Sequence, residues 1–128
     1  MTTHRTRLAI LLWAATPERP ELCATPFIHA TAAAALDCEV EMHFSGGATR
    51  LLVAGVADQL YPTAARSKSI HTFMREAANL GVRFIGCAMA LQAHTGPEDS
   101  YIAEYSGTAS ATDFVLRALD PQWTILSF

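Results

Sequence analysis

The chain has 128 residues, of which 51% are hydrophobic and 16% are charged, and its net charge is −3. This length fits one domain, so residues 1–128 are predicted to fold as a single unit. The negative charge argues against nucleic acid as a partner, and no apolar run reaches the roughly 18 residues that a membrane-spanning helix needs. The high apolar fraction predicts a sheet buried on both faces, or apolar surface that other subunits cover.

The first apolar run, residues 8–15, follows a basic segment and allows two interpretations. It resembles the core of a short signal peptide. It also has the composition of a first strand that is buried on both faces. We favour a strand at residues 8–14, because the run is at the short limit for a signal peptide and two prolines follow it at once.

Cysteine usage indicates the compartment. The chain has three cysteines, Cys23, Cys38 and Cys87. They are too few and too unevenly spaced for a disulfide framework, and no CxxC motif occurs. This usage is typical of a reducing compartment, where a thiol is either buried or reactive. We therefore expect a cytoplasmic protein.

Predicted strands and helices alternate along the chain. The first half is interpreted, in chain order, as a strand at 8–14, a loop at 16–20, a helix that ends near Leu36, a strand at 38–44, a turn at 45–47, a helix at 48–60 and a polar loop at 61–69. The start of the first helix is open: either Pro20 is its first residue, or Thr25 caps it with Pro26 in the first position. Gly55 weakens the prediction of the second helix.

The second half contains the clearest helix. Apolar residues recur at helical spacing from Ile70 to Ala78, Ser67 or Ser69 can cap its start, and Gly81 suits its end. The elements that follow are predicted as a strand at 82–87, a helical turn from residue 88, a helix from 97 to 107, a helix with a capping box at 110–119 and a last strand at 122–128. Such alternation indicates an α/β fold, a three-layer sandwich in which a mostly parallel sheet of four or five strands carries helices on both faces.

Cys87 lies where the third strand ends. In open parallel sheets, ligands bind beyond the carboxyl ends of the strands. If a helical turn begins at Ala88, its backbone N–H groups and its dipole favour a thiolate, which is the nucleophilic form of cysteine. The alternative is that Cys87 fills space in the core, as free cysteines often do. Cys23 and Cys38 are interpreted as structural.

Charged groups near Cys87 are candidates for supporting roles. His94, seven residues further on, could donate a proton or favour a thiolate. Arg83, four residues earlier, shares a strand face with Cys87 by the two-residue period. Arg50 and Arg66 are further candidates for contacts with an anion. Each of these side chains can equally be exposed to solvent without a role.

Two remaining patterns carry weak signals. Gly46 and Gly47 follow a strand and could bring backbone N–H groups close to an anion, although a tight turn explains both glycines. No metal site is predicted, because no two of the five histidines have the spacing of metal ligands: His4, His29, His43, His71 and His94.

Three stretches resemble the DsrE/DsrF-like sulfur-carrier family, most closely its DsrE2 branch. Residues 81–91, GVRFIGCAMAL, resemble the cysteine motif, in which a Gly-Val-containing strand leads into a Cys-x-Met segment. Residues 27–44 are similar to the Ala-rich first helix with its second strand, and residues 104–118 to the link into the last helix. The branch has a Phe-Trp-Gly-like segment after the second strand. Residues 44–52, FSGGATRLL, depart from it; we expect this loop near the cysteine, so the departure bears on the ligand or partner.

The resemblance implies a cytoplasmic α/β domain that forms homo-oligomers, often trimers or hexamers. It also implies that Cys87 holds sulfur as a persulfide or thiosulfonate and passes it to a TusA-like or rhodanese-like carrier. On this hypothesis, the N–H groups of Ala88 and Met89 stabilise the adduct, and Met89 and Leu91 form an apolar wall around it. Thiol exchange needs no metal and no organic cofactor.

Two other functions stay open from the sequence, and with them the question whether the chain is an enzyme. It could be a non-catalytic assembly subunit with a buried, inert cysteine. It could also be a thiol-based redox protein, because an exposed thiolate reacts with peroxide. The accessibility of the thiol distinguishes a sulfur carrier from an assembly subunit. A comparison of its reactions with polysulfide and with hydrogen peroxide distinguishes a sulfur carrier from a redox protein.

Overall fold

The computed structural model describes residues 6–128, so His4 lies outside the described residues. Five strands form one sheet: β1 (Arg7–Leu12), β2 (Glu39–Phe44), β3 (Arg83–Cys87), β4 (Tyr105–Ala109) and β5 (Trp123–Ser127). All neighbouring strands are parallel, in the order β4-β3-β2-β1-β5. The predicted α/β fold with a parallel sheet is therefore confirmed, with five strands.

Four α-helices cover the two faces of the sheet unequally. They are α1 (Ala24–Ala35), α2 (Ile70–Asn79), α3 (Ala88–His94) and α4 (Ala111–Leu119). On the first face, Phe27 of α1 packs on Phe44 and Phe84, with ring centroids 6.1 and 5.8 Å apart. α2 packs beside α1, and α3 also lies on this side of the sheet. Of the helices among residues 6–128, α4 is the one on the second face, where Phe114 packs on His43. Helices thus lie on both faces, as predicted.

Local signals fix the ends of two helices. The hydroxyl of Ser69 accepts a hydrogen bond from the N–H of Thr72 at the start of α2, and Gly81 follows its end with a φ of +91°. Ser110 and Asp113 form the predicted capping box of α4. Among residues 6–128, no helix is long and apolar enough to cross a membrane.

The start of the first helix matches one of its two predictions in part. Pro20 begins a 3-10 turn, Pro20–Leu22, which leads directly into α1. The predicted Thr25 cap is wrong, because Cys23 is the N-cap and Thr25 lies inside the helix. Pro26 is tolerated in the first turn, since the N–H groups there have no acceptor within the helix.

The predicted helix at 48–60 is wrong. Two separate 3-10 segments, Gly46–Leu52 and Ala57–Gln59, occupy this stretch. Between them Val53 is extended and forms an antiparallel bridge with Tyr101, and Gly55 takes a φ of +88°. A distant loop thus supplies hydrogen bonds that a continuous helix would have made internally.

The predicted helix from 97 to 107 is also wrong, because its last residues belong to β4. This edge strand pairs with β3, and the register shifts between Phe84 and the next residue. The N–H of Phe84 donates to the Ser106 hydroxyl at 3.0 Å instead of to the ladder. Gly107 adopts a φ of +143° within the strand and does not end a helix. A glycine inside a strand is typical of such a bulge.

Candidate functional site

A pocket of about 190 Å³ lies at the carboxyl ends of the strands, beneath the first turns of α4. Polar atoms in its wall come from His43, Ser45, Cys87 and Ser110. The apolar part of the wall consists of Leu11, Phe44, Ala109, Ala111, Phe114 and Val115. Parallel strands bring their carboxyl ends to one edge of the sheet, which is where open α/β folds bind ligands.

Cys87 is the last residue of β3 and the N-cap of α3. The helical turn expected after it is therefore present. The thiol is free and half-buried. The first N–H groups of α3 have no acceptor within the helix. Cys87 is thus reachable from the pocket while apolar side chains surround it.

A cluster of ionisable side chains lies on the α4 face of the sheet. The buried carboxylate of Glu41 accepts hydrogen bonds from Nε2 of His43 at 2.9 Å and from Nε of Arg117 at 3.1 Å. Arg83 and Arg117 each place a terminal nitrogen 3.4 Å from its other oxygen. Because an ionised carboxylate only accepts hydrogen bonds, Nε2 of His43 carries the hydrogen and Nδ1 is left as the acceptor.

Opposing effects set the protonation states in this cluster. Burial raises the pKa of Glu41, but hydrogen bonds from Arg117 and His43 outweigh it, so the pKa lies below its usual range. Burial lowers the pKa of His43, and the hydrogen bond to Glu41 offsets only part of this effect. His43 is therefore a neutral imidazole near neutral pH, oriented by an ionised carboxylate. This is the form in which histidine acts as a general base.

The predicted supporting residues on α3 do not line the pocket. Ala88 is exposed, and the exposed fraction of Met89 is 80%. Leu91 is buried on the opposite face of the sheet, beside Gly86. His94 is exposed in the last turn of α3. The apolar wall around the thiol therefore comes from other elements, chiefly from α4.

The remaining predicted residues lie around the pocket at different distances. Arg83 shares a strand face with Cys87, but it begins β3, and four strand residues span about 13 Å. Its guanidinium binds the buried carboxylate of the cluster. Gly46 and Gly47 directly follow Ser45, which lines the pocket. The loop that departs from the family pattern thus begins beside the cysteine, as expected.

The other two cysteines lie away from the pocket. The thiol of Cys23 is fully buried and donates to the carbonyl oxygens of Thr16 and Arg19, and burial raises its pKa to about 12. Cys38 precedes β2, at the amino ends of the strands, and the length of β2 places it about 20 Å from the pocket. A disulfide requires Cα atoms within about 7 Å. Neither Cys23 nor Cys38 lines the pocket with Cys87, and all three thiols are free.

His43, Phe114 and Ser110 line the pocket, but no role at a functional site is predicted for them from the sequence. One signal for His43 was available. In the strand EVEMHF, the two-residue period places Glu41 and His43 on the same face, and a buried pair of this type needs a special reason. Within residues 6–128, no three histidine, cysteine or carboxylate side chains are grouped as metal ligands.

Two solved structures share this fold. One is a protein of unknown function, MTH1491, from Methanobacterium thermoautotrophicum, with a TM-score of 0.68 and 15% identity over 96% of this chain and 99% of that chain. The other is the ychN protein from E. coli, with a TM-score of 0.74 and 11% identity over 98% of this chain and 100% of that chain. No family model matches the chain, and no curated protein matches its sequence significantly. At these identities the likeness shows the shared fold alone.

Proposed function

We propose that the protein is a sulfur-relay protein that holds sulfane sulfur on Cys87 as a persulfide and passes it to a partner protein. The observation that carries this proposal is the half-buried thiol of Cys87 in a pocket that also contains the imidazole of His43. A carrier thiol has to be reachable by its donor, and a persulfide needs shielding from other thiols. A pocket with a largely apolar wall meets both requirements.

The chemistry is a thiol exchange that balances without an oxidant. The thiolate of Cys87 attacks the terminal sulfur of a donor R–S–SH; a new S–S bond forms on Cys87, and the donor's S–S bond breaks. The leaving thiolate keeps the electron pair of that bond. His43 accepts the thiol proton at Nδ1 and returns it to the leaving thiolate. The sum is Cys87–SH + R–S–SH → Cys87–S–SH + R–SH.

Glu41 has a positioning role in this scheme. Its carboxylate holds the imidazole through Nε2 and stabilises the imidazolium that exists between the two proton transfers. Arg117 in turn holds the carboxylate from α4, so the helix that covers the pocket also fixes the base. The expected roles of Ala88, Met89 and His94 are not needed for this step.

Release of the sulfur has to be intermolecular. Cys23 is fully buried and Cys38 lies at the opposite edge of the sheet, so neither can attack a persulfide on Cys87. The persulfide therefore leaves only when a thiol of another molecule attacks it. We propose a TusA-like or rhodanese-like carrier as this acceptor, and the cytoplasm, where thiols stay reduced, as the compartment.

The surface of α4 supports assembly, and with it a second candidate function. None of its residues is buried, and Val115, Leu116 and Leu119 are 49%, 56% and 75% exposed. Such apolar exposure is consistent with a homo-oligomer such as a trimer or hexamer. The same observation favours the alternative in which the chain is a non-catalytic assembly subunit. The alternatives differ in whether Cys87 reacts.

Intact-mass spectrometry after treatment with a small organic hydropersulfide, R–S–SH, tests the proposal. The native chain is compared with Cys87→Ser and with Cys38→Ser, a matched control because Cys38 is also half-buried. We expect Cys38→Ser to keep the sulfur that is added to Cys87 in the native chain, and we expect Cys87→Ser to lose that part of the mass gain. An unreactive Cys87, silent also to a small alkylating reagent, would leave the assembly subunit as the function. Faster reaction with hydrogen peroxide than with the hydropersulfide would indicate a redox protein.

A further inference from the structure

We propose that the pocket selects small sulfane-sulfur donors R–S–SH that have an apolar R group and react in their protonated, uncharged form, over donors with a permanent negative charge such as thiosulfate and tetrathionate. This inference rests on the proposed function of Cys87. It narrows the sulfur adduct to a persulfide, because a thiosulfonate would place a permanent sulfonate charge in the same pocket.

The pocket has the size and the walls for an apolar group. Its volume of about 190 Å³ exceeds the about 150 Å³ of an apolar protein cavity that binds benzene, so a benzyl-sized R group fits. Leu11, Phe114 and Val115 line it, whereas the ring of Phe44, which also borders it, packs on Phe27 on the other face of the sheet. Divalent sulfur makes favourable contacts with aromatic rings, so the ring of Phe114 also suits the sulfur atoms of the donor.

The pocket offers no cation to an incoming anion. No lysine or arginine lines it among the described residues. The two arginines of the neighbouring cluster, Arg83 and Arg117, are both bound to Glu41. His43 is neutral near neutral pH, because burial lowers its pKa. An anion that entered would lose its water without gaining a charged partner, which is unfavourable.

The N-terminus of α4 does not replace the missing cation. Its cap residue, Ser110, donates its N–H and hydroxyl to the carboxylate of Asp113 at 2.8 and 3.0 Å. These hydrogen bonds hold the pKa of Asp113 below its usual range, so the carboxylate is ionised. The N–H of Asp113 is itself bound by the Ser110 hydroxyl. A fixed negative charge therefore occupies the helix end that would otherwise attract an anion.

A pair of donors with the same shape tests this selectivity. Benzyl hydropersulfide and its para-carboxylate analogue are each mixed with the native protein, and the rate of sulfur addition to Cys87 is followed by intact mass. Both rates are divided by those for a small cysteine peptide, which removes the intrinsic reactivity of the donors. We expect the protein to favour the uncharged donor about tenfold beyond the peptide, which corresponds to about 1.4 kcal/mol.

Two lysine variants show whether the pocket is responsible. Val115 lines the pocket and is half-exposed, so Val115→Lys brings an ammonium group to the rim. We expect it to abolish the preference for the uncharged donor. Leu116→Lys is the matched control, because Leu116 is 56% exposed against 49% for Val115 but does not line the pocket. We expect this variant to keep the preference.

The outcomes separate this inference from the function on which it rests. Sulfur addition with the peptide's own selectivity, or an equal effect of both lysine variants, would overturn the selectivity and leave the carrier function intact. Failure of both donors to modify Cys87 would overturn the carrier function and the selectivity together.

Discussion

His43 and Glu41 are joined on one face of β2: Nε2 of the imidazole lies 2.9 Å from the carboxylate, and the two side chains are 7% and 2% exposed. Two ionisable groups are seldom buried together without a function or a full set of partners. Here the partners come from β3 and α4 through Arg83 and Arg117. The pair thus links the wall of the pocket to the helix that covers it.

The stability of the protein should fall as the pH is lowered from 7 to 4. Because the folded state holds the pKa of His43 below its ordinary value of 6.5, the unfolded chain takes up a proton first, and stability is lost as the pH falls below that value. Glu41 has a lowered pKa as well, so its contribution is complete above its ordinary value of 4.5 and is lost as the pH falls further. Urea unfolding at a series of pH values measures both steps.

A variant assigns the first step of this pH profile. His43→Gln should remove the loss of stability that begins near pH 6.5 and keep the loss at lower pH. Arg117 and Asp113 of α4 also act on the pKa of His43: Arg117 lowers it and Asp113 raises it. Burial is the largest cause of the lowered pKa. A native profile that stays flat between pH 7 and 5 would contradict the lowered pKa of His43.

Replacing Arg117 should destabilise the fold, because it leaves the buried carboxylate of Glu41 with fewer partners. Breaking a buried ion pair costs about 3–5 kcal/mol. We expect about 2 kcal/mol for Arg117→Met, since this arginine is 31% exposed and Arg83 still contacts the carboxylate. Urea unfolding measures the loss.

The control for this prediction is an ion pair on the surface. Arg19 lies 2.8 Å from Glu21, and both side chains are more than half exposed. Arg19→Met should change the free energy of unfolding by no more than about 0.5 kcal/mol. The double variant Arg117→Met/Glu41→Gln should lose less than the sum of its single changes, because the arginine and carboxylate act as one unit. Additive losses would show that the two side chains contribute independently.

The elements that the sequence predicts correctly are those with local signals. α2 and α4 carry their caps in the sequence, at Ser69 and at Ser110 with Asp113. The two helices that are predicted wrongly lie where distant segments pair. Residues 48–60 give up helical hydrogen bonds to a bridge between Val53 and Tyr101, and residues 105–109 become a strand only because β3 lies beside them.

The candidate site shows the same division. A cysteine at a strand end can be read from the sequence, since strand ends gather at one edge of an α/β sheet. The place of His43 in the pocket depends on the parallel register of β2 with β3 and on Phe114, whose ring lies 5.1 Å from its own. His43 and Phe114 are 71 positions apart in the sequence, so no local sequence pattern predicts their contact. His94, by contrast, is near Cys87 in sequence and exposed on α3.

The three cysteines should differ in their reactivity with iodoacetamide. We expect Cys87 and Cys38 to be alkylated in the native protein, since both are half-buried, and Cys23 to be silent. Burial raises the pKa of Cys23 to about 12, which keeps it in the unreactive thiol form. Peptide mass mapping after a short exposure measures the order, and all three should react once the chain is unfolded in guanidinium.

Oxidation of the reduced protein with diamide should produce no disulfide within one chain. Cys38 lies at the opposite edge of the sheet from Cys87, and Cys23 is held in the core. Any disulfide should therefore join two chains and disappear from Cys87→Ser/Cys38→Ser. An intrachain bond between Cys87 and Cys23, found by peptide mapping, would contradict the proposed intermolecular release of sulfur.

Gly86, the residue before Cys87, should not tolerate a side chain. A Cβ atom there would lie 2.7 Å from Cδ1 of Leu91 and 3.3 Å from Leu52, both of which are buried. Overpacking of this kind costs about 1–3 kcal/mol, so Gly86→Ala should lower the free energy of unfolding by that amount. Since Leu91 belongs to α3, the strain should also displace the helix that begins at Cys87 and slow sulfur addition there.

Two comparisons make this prediction specific. In Gly96→Ala the new Cβ would lie 3.5 Å from Asp99, an ordinary contact, so we expect a change within about 0.5 kcal/mol. In Gly86→Ala/Leu91→Ala the shortened side chain frees the space that the new methyl group needs. Its loss of stability should therefore be smaller than the sum of the two single losses. Strict additivity in urea unfolding would show that Gly86 and Leu91 are not in steric competition, and that α3 is not held in place by the glycine.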